Sequence, residues 1–123
     1  MLGHVSFGVV DLDRAIAFYD AALAPIGLTR VWSHARGAGY GPPGRGDLLA
    51  LKLQPGPVAV PGPGFHLAFN AATHQAVDAF HEAALRAGGS DNGPPGLRPH
   101  YGPTYYAAFV IDPEGYRLEA VCQ

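Results

Sequence analysis

One stretch of the sequence occurs twice, and this repeat constrains the fold more than any other feature. The first copy, HVSFGVVDLDRAIAFYDAALAPIG, covers residues 4–27, and the second, HLAFNAATHQAVDAFHEAALRAGG, covers residues 66–89. The copies align without a gap at an offset of 62 positions, about half of the 123 residues. We therefore expect one domain built from two modules, about 1–57 and 63–123. A module of this size is marginal alone, so the two should share one core.

Both copies begin with a strand pattern that leads into a helix pattern. Residues 4–10 alternate large apolar side chains with small or polar ones, which is the period of a strand. Asp11 or Asp13 then supplies an N-cap, and apolar residues follow at helical spacing. In the second copy, residues 65–71 repeat the strand pattern and Thr73 is the matching N-cap.

The remainder of each module predicts further strands. Segment 36–46, RGAGYGPPGRG, reads as a loop or hairpin, and segment 90–104 as a long loop with strand character near its middle. The order strand, helix, then two or three strands, occurring twice, indicates an α+β fold. We expect two tandem β-α-β-β-β modules that form a curved mixed sheet around a cleft. The other predicted strands cover 28–34, 47–54, 105–111 and 116–122.

Composition limits the kinds of binding partner and the cellular compartment that we expect. The net charge of −2 gives no reason to expect nucleic acid or an anionic membrane surface as a partner. No apolar run approaches the length of a membrane-spanning helix, and the opening MLGHVSF lacks a signal-peptide pattern. The single cysteine, Cys122, cannot form an internal disulfide. We therefore expect a cytoplasmic protein.

The alternation also separates the two faces of each opening strand. In residues 4–10 the large apolar side chains share the face that should pack on a helix. The other face carries His4 followed by small residues, and the matching face of the second copy carries His66. We expect these faces to line an accessible cleft in which a small molecule can bind. Its predicted lining is Ser6, Gly8, Ala50, Ala68 and Asn70.

Glu119 is an acidic residue in an otherwise mostly apolar strand pattern. A buried lone carboxylate is costly unless a cation or hydrogen-bond donors accompany it. A salt bridge to Arg117 or another arginine would satisfy it, and so would a solvent-exposed edge strand. A third solution is a metal centre, because two imidazoles and one carboxylate are common ligands of Zn²⁺, Fe²⁺, Mn²⁺ or Ni²⁺. The equivalent repeat positions of His4 and His66 favour that solution.

Three segments together resemble the vicinal oxygen chelate superfamily. They are HVSFGVVDLDRAIAFY near the N-terminus, FHLAF in the centre and AAFVIDPEGYRLEAV near the C-terminus. This superfamily includes glyoxalase I, extradiol dioxygenases, fosfomycin-resistance enzymes, methylmalonyl-CoA epimerase and bleomycin-resistance proteins. The resemblance covers essentially the whole chain and implies paired β-α-β-β-β modules, with His4, His66 and Glu119 on three metal-ligand positions. It also implies a homodimer, with the site completed within one chain or across two.

The resemblance has one departure. Glyoxalase I and the epimerase usually carry a fourth ligand on the last strand of the first module. Aligning DLLALKLQ with YRLEAVCQ sets Ala50 opposite Glu119, with Asp47 and Gln54 at the two ends of that strand. A site of two histidines and one carboxylate is more similar to the dioxygenases and the fosfomycin enzymes. Such a site keeps positions open for substrate or water oxygens.

A cluster of aromatic and imidazole side chains precedes the seventh strand. A histidine or tyrosine beside a metal could move protons or fix a substrate oxygen. Alternatively, the tyrosines cover one end of the sheet and the histidine lies in a solvated loop. The candidates are His100, Tyr101, Tyr105 and Tyr106.

Two function classes follow. The first is a metal-dependent enzyme that chelates two oxygens of a small substrate, with glyoxalase-like lyase or isomerase chemistry or dioxygenase-type chemistry. The second is a metal-free protein that sequesters a small molecule or antibiotic, as bleomycin-resistance members do. Those binders usually lack the full set of two histidines and a glutamate, so the sequence favours the enzyme.

Overall fold

The computed structural model describes residues 1–123 and contains two modules with one order of elements. A short 3₁₀ helix, Ala24–Ile26, follows the first α-helix. The first module consists of β1 (Val5–Val9), α1 (Leu12–Leu23), β2 (Thr29–His34), β3 (Gly37–Gly41) and β4 (Leu49–Leu53). The second consists of β5 (Leu67–Asn70), α2 (His74–Arg86), β6 (Ser90–Leu97), β7 (Tyr106–Ile111) and β8 (Arg117–Cys122).

Each module forms its own four-stranded mixed sheet. The strand orders are β1-β4-β3-β2 and β5-β8-β7-β6, so the last strand of each module lies inside its sheet. Strands β1 and β4 are parallel, as are β5 and β8, and the remaining pairs are antiparallel. The predicted α+β fold of two tandem modules is confirmed, with the strands divided between two sheets.

Two strands occupy segments in which glycine and proline are abundant. Strand β3 lies within the predicted loop or hairpin at 36–46, and β6 fills half of the predicted long loop at 90–104. Pro94 and Pro95 are tolerated because β6 is an edge strand and its pairing with β7 is irregular between Gly93 and Gly96. An edge strand needs hydrogen-bond partners on one side only, so the missing N–H groups cost little there.

The helices begin where the sequence predicts and join the modules into one core. The carboxylate of Asp11 accepts from the amide of Arg14, and the hydroxyl of Thr73 accepts from the amide of Ala76. The helices contact each other, and one cluster of 21 buried residues draws on both modules. Neither helix is long and apolar enough to cross a lipid bilayer.

The turn between β7 and β8 forms hydrogen bonds that link the second module to the first. The buried carboxylate of Asp112 accepts from the hydroxyl of Tyr19 on α1 at 2.5 Å. Glu114 accepts from the amides of Val10 and Asp11, which precede α1. The ring of Tyr116 stacks on Phe7 with centroids 4.1 Å apart. The tight turn thus also carries polar contacts between the modules.

Candidate metal centre

Strand register identifies the matching positions of the two modules on the faces that carry no helix. On the first sheet, Ser6 pairs with Ala50, Ala50 with Gly39, and Gly39 with Trp32. On the second sheet, Ala68 pairs with Glu119, Glu119 with Phe109, and Phe109 with Gly93. The register supports the sequence alignment that set Ala50 opposite Glu119.

Glu119 is fully buried at the centre of the second sheet. Its Oε2 accepts a hydrogen bond of 2.5 Å from the hydroxyl of Tyr105, and its Oε1 lies 2.8 Å from Nε2 of His66. The His66 side chain is 42% exposed, so the pair opens to solvent on the imidazole side. No arginine pairs with the carboxylate, which argues against the salt bridge considered from the sequence.

The geometry of Oε1 fits a cation. This oxygen is buried and has no hydrogen-bond partner, although Nε2 of His66 lies within hydrogen-bond distance. The direction in which Nε2 would carry a proton or a lone pair therefore does not pass through Oε1. At this distance a protonated imidazole would form an ion pair with Glu119, and a neutral imidazole could join the carboxylate in binding one divalent cation. A buried carboxylate oxygen without a partner is otherwise costly.

Tyr105 acts on the carboxylate as a donor. Burial, followed by the hydrogen bond to Glu119, raises the pKa of Tyr105 to about 12. The hydroxyl therefore stays protonated at neutral pH and holds Oε2, which leaves Oε1 for other interactions. Of the four aromatic candidates, Tyr105 is the one in contact with Glu119.

The other three aromatic candidates lie elsewhere. Tyr106 faces α2, where its hydroxyl donates to Asp78 at 2.6 Å and its ring stacks on His74. His100 and Tyr101 are exposed. Tyr101 meets the ring of Tyr105 edge-on at 5.2 Å, and His100 lies 4.2 Å from Tyr101. These two residues extend outward from Tyr105 toward solvent.

His4 does not join the pair within one chain. No group of three or more histidine, cysteine, aspartate or glutamate side chains forms a metal-binding cluster. His4 lines a pocket of about 370 Å³ together with residues 67–70, the span of β5, whereas His66 precedes that strand. The other end of β1 contacts Tyr116, which precedes β8, through Phe7 and Gly8.

The remaining lining positions differ in their access to solvent. Ser6, Ala68 and Asn70 are exposed, and Gly8 is half-buried under Gln54 and Val58. Ala50 is 1% exposed. The amide of Gln54 donates to the carbonyl of Lys52, a bond within its own strand end. The first sheet therefore offers no carboxylate at the position that matches Glu119.

Sequence reasoning gave no role on these faces to Phe109, Arg98 or Trp32, and it considered Arg117 only as a salt-bridge partner of Glu119. Phe109 meets the ring of His66 edge-on, with centroids 5.6 Å apart. The guanidinium of Arg98 lies 5.4 Å from the Phe109 ring centroid. Arg117 follows the same alternation as Glu119, and its Nε is buried without a partner. On the first sheet Trp32 lies against Gly39. The strand alternation could have identified Phe109 and Arg117, but not the partners they meet.

Comparisons with known proteins agree with this architecture. The family model of the Glyoxalase/Bleomycin resistance protein/Dioxygenase superfamily matches residues 1–120. A glyoxalase/bleomycin resistance protein from Albidiferax ferrireducens T118 is 30% identical, with a TM-score of 0.86 over 100% of this chain and 98% of that one. A glyoxalase-related enzyme from Fulvimarina pelagi is 24% identical, with a TM-score of 0.76 over 100% and 88%. Fosfomycin resistance protein FosX from Mesorhizobium loti is 18% identical, with a TM-score of 0.72 over 100% and 92%. No curated protein matches the chain.

Proposed function

This chain belongs to the Glyoxalase/Bleomycin resistance protein/Dioxygenase superfamily, and from that premise we propose that it is a metal-dependent enzyme acting on a small molecule. His66 and Glu119 supply two ligands to one divalent cation, Fe²⁺, Mn²⁺, Zn²⁺ or Ni²⁺. His4 of a second copy supplies the third, in a cytoplasmic homodimer. The observation that carries this proposal is the buried Oε1 of Glu119, which has no hydrogen-bond partner and lies 2.8 Å from His66.

A second copy is required because one chain brings only two of the three ligands together. His4 is exposed, and so is His66, so both imidazoles are accessible to another protomer. Strands β1 and β5 are also edge strands of their sheets, and free edges favour association. Both features support a site that is completed between copies.

The chain's own residues prepare the site for an oxygen-chelating substrate. When bound, the cation would supply Lewis-acid stabilisation of negative charge on substrate oxygens. Tyr105 holds Oε2 of Glu119, so the carboxylate presents Oε1 in a fixed direction. Phe109 packs at the edge of His66 and restrains the imidazole ring. Since Ala50 offers no fourth ligand, the site keeps positions for substrate.

Metal binding by untagged protein tests the proposal. Glu119→Gln keeps the shape and removes the charge, so we expect metal affinity to fall at least about a hundredfold, beyond the effect of losing an outer-shell partner. His66→Ala and His4→Ala should behave likewise, and metal should raise the Tm of the parent but not of the variants. Asp47→Asn is the matched control because it removes the carboxylate nearest to the corresponding strand of the first module. Unchanged affinity in all three variants would refute the site.

Mixing two defective variants tests where the site is built. In a mixed dimer of His4→Ala and Glu119→Gln, one site would combine His66 and Glu119 of the first variant with His4 of the second. Metal binding should then return after the two proteins are unfolded and refolded together. Ligands drawn from one chain would give no recovery.

A metal-free small-molecule binder is the second candidate. Two observations favour it: a single chain brings no three metal-binding side chains together, and the pocket beside His4 has seven hydrophobic residues among its ten. A protein of this kind would bind its ligand equally well in the presence of a strong chelator. Measuring small-molecule binding with and without a strong chelator therefore separates the two classes.

A further inference from the structure

We propose that Arg98 binds an anionic group of the substrate, a carboxylate, phosphonate or phosphate, beside the His66–Glu119 pair. The inference deepens the proposed function, on which it rests for the identity of the reacting site. The anion-binding residue itself is argued from its own surroundings.

The guanidinium of Arg98 is held in one place by the backbone. Its Nη1 donates to the carbonyl of Gly96 at 2.9 Å, and its Nη2 donates to the carbonyl of Pro94 at 2.7 Å. Its Cζ lies over the Phe109 ring, 5.4 Å from the centroid. A β-carbon on Gly93 or Gly96 would come within 3.3 Å of the guanidinium nitrogens, so the two glycines leave the groove in which it lies. A side chain fixed in this way loses little entropy when it binds a ligand.

These contacts leave the positive charge uncompensated. Carbonyl oxygens engage two of the five N–H donors but carry no formal charge. No carboxylate lies within salt-bridge distance of Arg98 or Arg117, and both are half-buried. Every other arginine is either paired with a carboxylate, as are Arg14, Arg30 and Arg86, or exposed, as are Arg36 and Arg45.

Both half-buried, unpaired arginines lie at the second sheet, Arg117 in β8 and Arg98 directly after β6. Arg117 precedes Glu119 by two residues in β8 and so shares its face. The separations from Arg98 to Phe109 and from Phe109 to His66, 5.4 Å and 5.6 Å, set the guanidinium within about 11 Å of the imidazole. A small acid can span that interval with its anionic group on Arg98 and its other oxygens toward His66.

The N–H groups of Arg98 that remain free favour an oxyanion as the ligand. Three N–H groups of Arg98 remain, and a guanidinium edge binds two oxygens of a carboxylate or phosphonate at once. Partial burial strengthens such a charge-assisted bond relative to one in bulk water. If Arg98 served only to tie down the carbonyls of β6, a neutral donor of similar length would replace it without loss of anion binding.

Titration of metal-free protein with methylphosphonate, and separately with acetate, tests the inference. Binding is followed through the backbone amide NMR signals of Gly93, Gly96 and Leu97, because Pro94 and Pro95 carry no N–H. Arg98→Ala and Arg98→Gln should each weaken binding of at least one anion about tenfold or more, since a hydrogen bond to a charged group is lost. Arg98→Gln keeps a donor for the β6 carbonyls and serves as the variant that folds. Arg45→Ala, an exposed arginine in the β3–β4 loop, should bind as the parent does.

Equal anion affinity in the parent and in Arg98→Gln would overturn the inference. So would weakening of the same size in Arg45→Ala, which would indicate a general charge effect. The two anions distinguish a planar from a tetrahedral group, and Arg98-dependent binding of either supports the assignment.

A parallel Mn²⁺ titration separates this inference from the proposed function. Arg98→Gln should leave Mn²⁺ affinity unchanged, and Glu119→Gln should lose Mn²⁺ but retain anion binding by the metal-free protein. A parent that binds no metal yet binds anions through Arg98 would refute the enzyme and uphold the anion site. A parent that binds metal while Arg98→Gln binds anions normally would do the reverse.

Discussion

The two modules pair their strands in the same register but carry different side chains at the centre of their sheets. The first sheet has Ala50 on its inner strand where the second has Glu119. Beside these, the first sheet pairs Trp32 with Gly39, while the second pairs Gly93 with Phe109. In the first sheet the large residue lies on the edge strand and the glycine on the inner strand, and in the second sheet this order is reversed.

This exchange decides what each face can do. The indole of Trp32 lies over Gly39 and fills the face of the first sheet, next to a buried Ala50. In the second sheet Phe109 stands on the strand beside Glu119 and meets His66 edge-on. The glycine opposite Phe109 leaves room for a guanidinium. One fold thus supplies a packed face and a polar face, and a few side chains decide which is which.

Gly39→Ala should break the packed face and gives the largest expected effect. A β-carbon at this position would lie 2.0 Å from Nε1 of Trp32, so the indole would have to leave its place. We expect a loss of about 3 kcal/mol in the free energy of unfolding, at the upper end for overpacking. Urea denaturation measures it.

Two controls make this prediction specific. Gly46→Ala introduces a β-carbon that meets nothing within 4 Å and should change stability little. In a Trp32→Ala background, Gly39→Ala should also cost little, because the clash is gone. A large cost in that background would show that the strand needs glycine for another reason.

Tyr19→Phe should weaken the contact between α1 of the first module and the β7–β8 turn of the second. The variant loses the 2.5 Å hydrogen bond to Asp112 and leaves a buried carboxylate with one donor fewer. We expect a loss of about 2 kcal/mol at pH 7. Tyr116→Phe is the matched control, because its hydroxyl donates to the carbonyl of Gly8 rather than to a carboxylate.

The effect of Tyr19→Phe should depend on pH. Burial raises the pKa of Asp112 above 3.8, and the bond from Tyr19 opposes that rise. Without the hydroxyl the folded-state pKa rises further, so the folded protein binds more protons than the unfolded chain above pH 3.8. Stability then falls as pH rises through this interval. Denaturation should show a smaller loss near pH 3.5 than at pH 7, whereas an equal loss would contradict the role of Asp112.

Tyr105→Phe tests the polar face and should give the smallest effect of these variants. The variant frees Oε2 of Glu119 without altering the proposed ligands, so metal affinity should fall about tenfold with no change of fold. Because the pKa of Tyr105 is about 12, the parent's affinity should show no titration of this hydroxyl below pH 10. Tyr106→Phe, which loses a bond to Asp78 on α2, should bind metal normally.

The sequence predicted the architecture because the repeat and the caps are local signals. The matching copies at 4–27 and 66–89, with Asp11 and Thr73 as N-caps, appear in the structure as expected. Strand β3 was predicted only as part of a loop or hairpin, since GAGYG has the composition of a turn. Gly39 is required by Trp32 and Gly41 by the backbone of Gly46, contacts that no local pattern reveals.

The candidate metal site was predictable from the sequence only in part. Alternation and the repeat singled out His66 and Glu119, which lie 2.8 Å apart. That Glu119 lacks an arginine partner depends on where Arg117 points, which sequence spacing does not determine. The ligand set with His4 stays a prediction, because symmetry of sequence does not say which chain supplies the matching histidine.

The inner position of β4 and β8 governs the order in which the protein can fold. In each module the strand synthesised last must enter between the first strand and the third, because β1 pairs with β4 alone and β5 with β8 alone. A nascent module that lacks this strand has no complete sheet, so each module should close in one late, cooperative step. Since Glu119 lies on β8, the polar face arises in that same step, and a chain that lacks β8 does not present it.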